Sequence, residues 1–429
     1  MKVDIPYRRT TLANGLNVFV HEDQRAPVAC VNMWYFVGSK DERQGRTGFA
    51  HLFEHLMFEG SQNVRKGQFD ELLEDVGGAN NGSTSPDRTN YWETVPANAL
   101  ELPLFLESDR MGWFLETITQ DKLDGQRDVV KNERRQSYEN RPYGLAYETT
   151  MRHLYPSTHP YHWPVIGWME DLDAANLADV RAFFSTYYAP NNAALSVAGA
   201  VDAEQVFALA DRYFGRIPAG QEPPRPVVPP ADLTGDVVLH IEDEVHLPRL
   251  YMTWHAPAIF EPGDAELDVA ARTIGTGKTA RLYQRLVHDL EIAQDVEAEQ
   301  ESGLLGSAFG LSVTARKGVS LTRLRDEVGK VLSEVAQDLN EREVQRARHH
   351  IETATIDSVQ SVGGFGGKAD RLNHYFFYAN DPGYLSRDLE RYASLTPEAV
   401  RAQLQKTVTA PCVTLSVVPH GKTELAVAS

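Results

Sequence analysis

The residues His51-Leu52-Phe53-Glu54-His55 carry the most specific chemistry in this chain. In a helix with 3.6 residues per turn, His51 and His55 project from one face, and Glu54 shares that face because it lies three residues after His51. Two imidazoles so arranged can bind one Zn²⁺ ion, each nitrogen at about 2.0–2.1 Å. The carboxylate between them is then free to accept a proton from a zinc-activated water molecule. The pattern therefore predicts a metallohydrolase.

This chemistry requires a helix, and the flanking residues favour one. Apolar side chains surround the polar triplet on the remaining positions, namely Phe49, Ala50, Leu52, Phe53, Leu56 and Met57. Gly60 follows and is expected to end the helix. Burying ionisable groups within such an apolar segment is costly unless they bind a metal or partner groups, so a chance pairing of two histidines is the poorer explanation.

A catalytic zinc ion requires a third protein ligand and an open position for water. Glu71 and Glu74 lie on the next predicted helix, and Glu107, Glu116 and Glu133 lie further along the chain. Spacing alone does not choose among these five carboxylates.

The order His-x-x-Glu-His is the inverse of the commoner zincin motif and marks the inverzincins. Together with Gly48-Phe49-Ala50 before it and Phe58-Glu59-Gly60-Ser61 after it, the motif resembles the pitrilysin family of zinc metallopeptidases. The resemblance is to the short-chain branch that includes the mitochondrial processing peptidase. It extends over nearly the whole chain, through Leu12–Leu16 and Asn140–Gly144 into the second half. It implies a zinc endopeptidase in which Glu54 is the general base.

The resemblance also implies roles for residues beyond the motif. The segment 127–134 matches the family helix that carries the third ligand, so Glu133 is the expected ligand. The family usually has a second glutamate two helical turns earlier, where this chain has Gln126, expected to contact a group that binds the metal. An amide there lacks the negative charge that would raise ligand basicity, so activity is expected to be weakened or retuned while the metal site survives.

A glycine-rich segment, 77–85, followed by the β-prone segment 88–92, is the candidate for substrate binding. In the family the matching strand is a sheet edge that pairs with the peptide backbone, and Asn81 takes the place of a recurrent asparagine. We therefore expect Asn81 and Ser83 to bind substrate. From the residues alone, an ordinary turn before a core strand explains the same pattern.

The second half of the chain departs from the family in a way that predicts a partner. Active members that work alone or as homodimers usually carry an arginine and a tyrosine seven residues apart in the C-terminal domain, and here these positions hold Val287 and Gln294. Valine has no donor, and glutamine lacks the phenol that can stabilise a developing oxyanion. The resemblance therefore implies a heterodimer with a homologous, zinc-free subunit that supplies both residues. Arg281 or Arg285 could substitute in a homodimer, and a noncatalytic assembly protein is the further alternative.

Internal similarity indicates two domains. The segments Val180-Arg181-Ala182 and Leu195-Ser196-Val197 recur as Val400-Arg401-Ala402 and Leu415-Ser416-Val417, an offset of 220 residues. Strands followed by blocks of helices favour an α+β fold of two homologous α/β-layered domains, like that of the mitochondrial processing peptidase. We expect a catalytic, zinc-binding domain at 1–216, a proline-rich linker at 217–235, and a homologous domain without zinc at 236–429. Gly363–Gly367 lacks the lysine and hydroxyl pair of a phosphate-binding loop and is expected to be a flexible interdomain or substrate-contacting loop.

Composition sets the outer limits on function. The net charge of −18 argues against nucleic acid and anionic membranes as main partners. The two cysteines, Cys30 and Cys412, are expected to be buried and reduced. The N-terminus has no apolar signal segment and no stretch is long enough to span a membrane, so the cytoplasm is the expected location, with the periplasm as the alternative if a leader has been removed.

Overall fold

A computed structural model describes residues 3–428 of the chain. In chain order, the strands are β1 (Arg8–Thr11), β2 (Asn17–Glu22), β3 (Val28–Tyr35), β4 (Ala79–Thr84), β5 (Thr89–Pro96), β6 (Ala193–Gly199), β7 (Val237–Asp243), β8 (Arg249–Ala256), β9 (Ala293–Glu301), β10 (Ser307–Ala315) and β11 (Val413–Pro419). The helices are α1 (Phe49–Leu56), α2 (Gln68–Asp75), α3 (Glu101–Trp113), α4 (Gln120–Arg134), α5 (Ala146–Leu154), α6 (Met169–Asp173), α7 (Leu177–Tyr187), α8 (Ala203–Phe214), α9 (Asp264–Gly275), α10 (Leu321–Asp338), α11 (Glu341–Ser358), α12 (Lys368–Ala379), α13 (Leu385–Ala393) and α14 (Pro397–Val408). The predicted α+β fold of two domains is confirmed.

The contacts of the chain form two compact units. Among the described residues, the first contains 3–132, 163–227 and 354–387, and the second contains 133–162, 228–353 and 388–428. The stretch 217–235 has neither helix nor strand, and its role as a linker stays a prediction. However, the segment 133–162 belongs to the second unit although it precedes the linker, and the segment 354–387 belongs to the first unit although it follows the linker. A single boundary at the linker therefore does not describe the two units.

The first unit is built on a six-stranded sheet in the order β1-β2-β6-β3-β5-β4. Strands β2 and β6 are parallel, and the other neighbours are antiparallel. The central strands β3 and β6 are almost entirely buried, as their apolar sequences require. Strand β4 forms one edge and pairs only with β5, where Asn81 lies opposite Trp92. No other strand of the described residues pairs with its outer edge.

Helix α12 contributes to this first sheet although it comes from the C-terminal half of the sequence. The Asn373 amide donates to the side-chain and backbone oxygens of Asn32 at 3.0 Å, and it accepts from the Ser196 hydroxyl at 2.7 Å. The loop before α12 lies against the same sheet, because a Cβ on Gly363 would meet the Thr94 hydroxyl at 2.2 Å. The expectation that Gly363–Gly367 lies between the domains is therefore wrong, since the loop packs within the first unit, and the alternative of a substrate-contacting loop stays a prediction.

The second unit is built on a five-stranded sheet in the order β7-β11-β8-β10-β9. Strands β11 and β7 are parallel and the other pairs are antiparallel. Its core contains apolar side chains of β8, β10, α9 and α10, including Leu250, Trp254, Phe309, Leu324 and Val331. The edge strand β9 alternates buried and exposed residues, which places its glutamates on one face.

Both cysteines are buried and unbonded, as predicted. Among the described helices, none is both long enough and apolar enough to cross a membrane.

Candidate active site

Helix α1 positions the predicted catalytic motif. Its apolar residues Phe49, Leu52, Phe53 and Leu56 are buried, whereas the motif residues 51, 54 and 55 are partly exposed on the other face. The buried apolar stripe therefore fixes the direction in which the three polar side chains point.

The N-terminal end of α1 is held by a residue that the sequence did not reveal as functional. The two carboxylate oxygens of Glu42 accept hydrogen bonds from the backbone N–H groups of Gly48, at 2.9 Å, and Ala50, at 2.7 Å. These are donors that the first turn of a helix leaves unsatisfied. Burial raises the pKa of Glu42 well above its usual range. Gly48 has φ of +81°, and a Cβ there would meet the Ile166 carbonyl oxygen at 2.7 Å.

Three predicted ligands come together. One side-chain atom each of His51, His55 and Glu133 lies within 4.8 Å of the other two. The histidine ring centroids are 4.7 Å apart with planes at 73°. Ligand atoms around a tetrahedral zinc ion at about 2.0–2.2 Å are roughly 3.3–3.6 Å apart, so the group closes on an ion with shifts of about 1 Å. Two nitrogens and one carboxylate oxygen suit zinc and leave a fourth position open, so these residues fit that metal.

Glu133 owes its position to α4. Leu123 and Val130 are fully buried and anchor this helix within the first unit, whose boundary falls between residues 132 and 133. Because α4 continues without a break to Arg134, it fixes Glu133 relative to α1.

The other candidate ligands are elsewhere. Glu71, Glu74 and Glu116 are exposed, and Glu107 is buried in an ion pair with Arg110. In the part of the chain that the structure describes, the group of His51, His55 and Glu133 is the only set of three or more such residues that could hold a metal.

The carboxylate of Glu54 lies between α1 and the edge strand β4. The Thr84 hydroxyl donates to Glu54 Oε2 at 2.6 Å. A Cβ on Gly82 would lie 3.0 Å from Glu54 Oε1 and 3.2 Å from Cδ1 of the buried Tyr91, so glycine leaves the space that the carboxylate uses. Strand alternation brings positions 82 and 84 to the side of Glu54.

The same alternation puts Asn81 and Ser83 on the opposite face of β4. The Ser83 hydroxyl donates to Asn90 at 2.6 Å, and the Asn81 side chain accepts from the Gly82 N–H at 2.8 Å. The sequence analysis placed substrate binding on this strand but did not identify Thr84, which shares its face with Gly82, two residues earlier. A role for Asn81 and Ser83 in substrate binding stays a prediction.

Gln126 contacts a residue next to α1. Its side-chain N–H donates to Glu59 Oε1 at 2.7 Å, and Lys66 Nζ lies 2.8 Å from the other oxygen of Glu59. The sequence-based expectation of a contact with a metal-binding group is therefore replaced by a contact with Glu59.

A cavity of about 600 Å³ in the second unit has Glu133 in its wall. Its lining includes Tyr138, Tyr143 and Tyr147 from the segment after α4, and Glu297, Glu299 and Glu301 from β9. Partial loss of water in the cavity wall, and then the charge of Glu297, raises the pKa of Glu299. The same loss of water raises the pKa of Glu301 and outweighs the hydrogen bond from Tyr147, which lowers it. Among residues 3–428, no basic side chain places a nitrogen within 4.0 Å of the carboxylate of Glu299 or Glu301, so neither forms an ion pair.

The positions that replace the family arginine and tyrosine also lie in the second unit. Val287 packs against its core within the π-helical segment Tyr283–Asp289, and Gln294 is exposed at the start of β9. The two arginines that could substitute are held in ion pairs. Arg281 contacts Glu343 at 2.6 Å and Arg285 contacts Glu327 at 3.1 Å.

Two family models match parts of this chain. Residues 17–157 match the model described as insulinase, peptidase family M16, and residues 174–351 match the model described as the peptidase M16 inactive domain. The chain is 30% identical to the zinc protease PqqE of Helicobacter pylori, over 84% of this chain and 82% of that one. It is 24% identical to a probable mitochondrial-processing peptidase subunit beta of Arabidopsis thaliana, over 81% and 67% of the two chains.

Solved structures give the same answer for the fold. A protease from Helicobacter pylori superposes with a TM-score of 0.90 at 26% identity, covering 97% of this chain and all of the other. An M16 inactive-domain protein from Pseudomonas fluorescens superposes with a TM-score of 0.84 at 20% identity, covering 96% and 98%.

Proposed function

We infer the activity of this chain from its family, because it belongs to the M16 peptidases, the insulinase family. We propose that it is a zinc-dependent endopeptidase that acts on peptides or unfolded segments. The observation that carries the proposal is the group of His51, His55 and Glu133 beside the partly exposed carboxylate of Glu54.

The three ligands would hold zinc, which supplies Lewis acidity toward a water molecule and toward the scissile carbonyl group. Glu54 accepts the proton of the attacking water and then donates it to the departing amine. The Thr84 hydroxyl holds one oxygen of Glu54 and leaves the other directed at Gly82, where no side chain competes for the space. The two residues of β4 thus keep the general base in one orientation.

Strand β4 supports binding of an extended peptide. No strand of the described residues pairs with its outer edge, and a peptide that adds there hydrogen-bonds through its own backbone. Such pairing is tolerant of sequence, as a general peptidase requires. It also brings the peptide backbone to the strand from which Gly82 and Thr84 contact Glu54.

The variant Glu54→Gln tests the assignment. It removes the proton acceptor and keeps the side-chain size, so peptide hydrolysis should fall by at least about 10²–10⁴-fold, the usual contribution of a general base. Zinc content, measured by elemental analysis, should stay at one ion per chain because the three ligands are intact. Full activity in this variant, or a wild type without bound zinc and insensitive to a chelator, would refute the proposal.

We further propose that the active form is a heterodimer with a homologous subunit that lacks zinc. Val287 has no hydrogen-bond donor, Gln294 lacks the phenol of the family tyrosine, and Arg281 and Arg285 already pair with glutamates. The isolated chain should therefore hydrolyse peptides slowly and gain activity when it is mixed with such a partner. Rapid hydrolysis by the purified chain alone would favour a self-sufficient homodimer instead.

A further inference from the structure

We propose that the hydrogen bond between Gln126 and Glu59 is a tether that holds α4 at a fixed distance from α1, and that both residues are positioning residues for the metal. This inference rests on the proposed function, because it concerns how the same three ligands are brought together.

Glu59 is rigidly connected to α1. The backbone N–H of Phe58 donates to the carbonyl of His55 at 3.1 Å, and that of Glu59 donates to the carbonyl of Leu56 at 2.9 Å. These bonds continue the last turn of α1, so Glu59 lies one turn beyond the ligand His55. Its side chain is buried, with the whole residue only 4% exposed. A displacement of Glu59 is therefore a displacement of the end of α1.

Gln126 is connected to Glu133 in the same way. Residues 126, 130 and 133 follow the i, i+4, i+7 spacing of one helical face, and Val130 between them is fully buried. The bond of 2.7 Å from the Gln126 amide to Glu59 Oε1 is thus a direct link between the helix with two ligands and the helix with the third.

The charges explain why position 126 is an amide in this chain. A carboxylate there would face the buried carboxylate of Glu59, and two such groups in contact cannot both be ionised without cost. Lys66 neutralises Glu59 from one side, with its own side chain 67% exposed, and the Gln126 amide satisfies the other oxygen. Glutamine at 126 is therefore matched to glutamate at 59, and the pair should be exchangeable.

The test is a double-mutant cycle with zinc affinity as the readout, measured on the full-length chain by competition with a chromophoric chelator. Gln126→Met and Glu59→Met each remove the bond and should weaken zinc binding by about 10–100-fold, the usual effect of losing a partner that orients metal ligands. The double variant should bind zinc about as tightly as the single variant with the lower zinc affinity, because both substitutions remove the same bond. Additive losses, or single variants within about twofold of wild type, would overturn the inference.

An exchange variant guards against loss of folding in the methionine variants. Gln126→Glu alone adds a negative charge near the metal, which by itself would strengthen cation binding, so weaker binding would report a displaced helix. Glu59→Gln combined with Gln126→Glu restores one amide and one carboxylate, and zinc affinity should return to within about threefold of wild type. The inference would be overturned if Gln126→Glu alone bound zinc more tightly than the wild type and adding Glu59→Gln caused no further change in zinc affinity.

The proposed function and this inference fail in different ways. If the wild type does not bind zinc, both are overturned. If the wild type binds zinc and hydrolyses peptides while every variant of the pair keeps wild-type zinc affinity, only the tether is wrong.

Discussion

The substitution Gly82→Ala tests the geometry around Glu54, the proposed general base, without removing any polar group. The added Cβ would lie 3.0 Å from Glu54 Oε1 and 3.2 Å from Tyr91 Cδ1, whereas ordinary contacts begin at 3.4 Å. Tyr91 is fully buried and cannot move away, so the carboxylate of Glu54 must shift by roughly 0.4 Å. Glu54 is also bound to Thr84 at 2.6 Å, which limits the directions of that shift.

The expected loss follows from this displacement. A misplacement of about 1 Å in an active site costs about 100-fold in rate, or about 2.7 kcal/mol. Scaled to 0.4 Å, the cost is about 1.1 kcal/mol, which is about a sixfold decrease in kcat. Stability should not fall, since alanine is favoured over glycine within a strand by about 0.5–1 kcal/mol.

The assay is steady-state hydrolysis of a fluorogenic peptide, with zinc content and Tm measured on the same preparations. Gly329→Ala is the matched control, because a Cβ on Gly329 meets nothing within 4 Å. We expect kcat to fall only in Gly82→Ala, with zinc content unchanged and Tm not lowered in either variant. An unchanged kcat for Gly82→Ala would show that the position of the Glu54 carboxylate does not limit the reaction.

Three further predictions concern the start of α1, a buried ion pair of the first unit and the wall of the cavity in the second unit. Replacing Glu42 by alanine should lower the free energy of unfolding by about 1–2 kcal/mol and weaken zinc binding, because the first turn of α1 loses its cap; denaturant titration and chelator competition measure the two effects. Asp23→Asn breaks the buried pair with Lys368 and should cost about 3 kcal/mol at neutral pH. The Arg25 hydrogen bond first, and then Lys368, lower the pKa of Asp23, so this difference should be complete above about pH 4 and shrink as the pH falls below it; a difference that is constant down to pH 2 would contradict the pairing. Glu299→Gln should lower kcat/KM about fivefold for peptides with lysine or arginine relative to matched alanine peptides, if side chains of substrate enter the cavity beside Glu133.

The sequence predicted the parts of the site that local periodicity determines. His51, Glu54 and His55 share a helical face because 3.6 residues make one turn, and the apolar residues between them identify the buried face. Glu133 required the family resemblance, because no local rule connects residues 55 and 133. In the structure that connection is made by the buried residues of α4, whose contacts are remote in sequence.

The supports of the site could not be predicted in the same way. In the sequence Glu42 has the features of an ordinary surface residue, and only the structure shows that it accepts a hydrogen bond from the backbone at the start of α1. The pairing of Gln126 with Glu59 joins residues that are 67 positions apart. Thr84 was missed because the resemblance directed attention to Asn81, one residue out of phase in a strand whose alternate side chains face opposite ways.

The position of α12 has a consequence for how the protein is made. The first unit needs residues up to 387 before the face of its sheet around Asn32 and Ser196 is covered. During translation at about 5–20 residues per second, that face emerges from the ribosome long before the helix that covers it. The nascent first unit therefore stays incomplete until nearly the entire polypeptide has been made, so a ribosome stalled beyond residue 227 but before α12 would leave it without its covering helix.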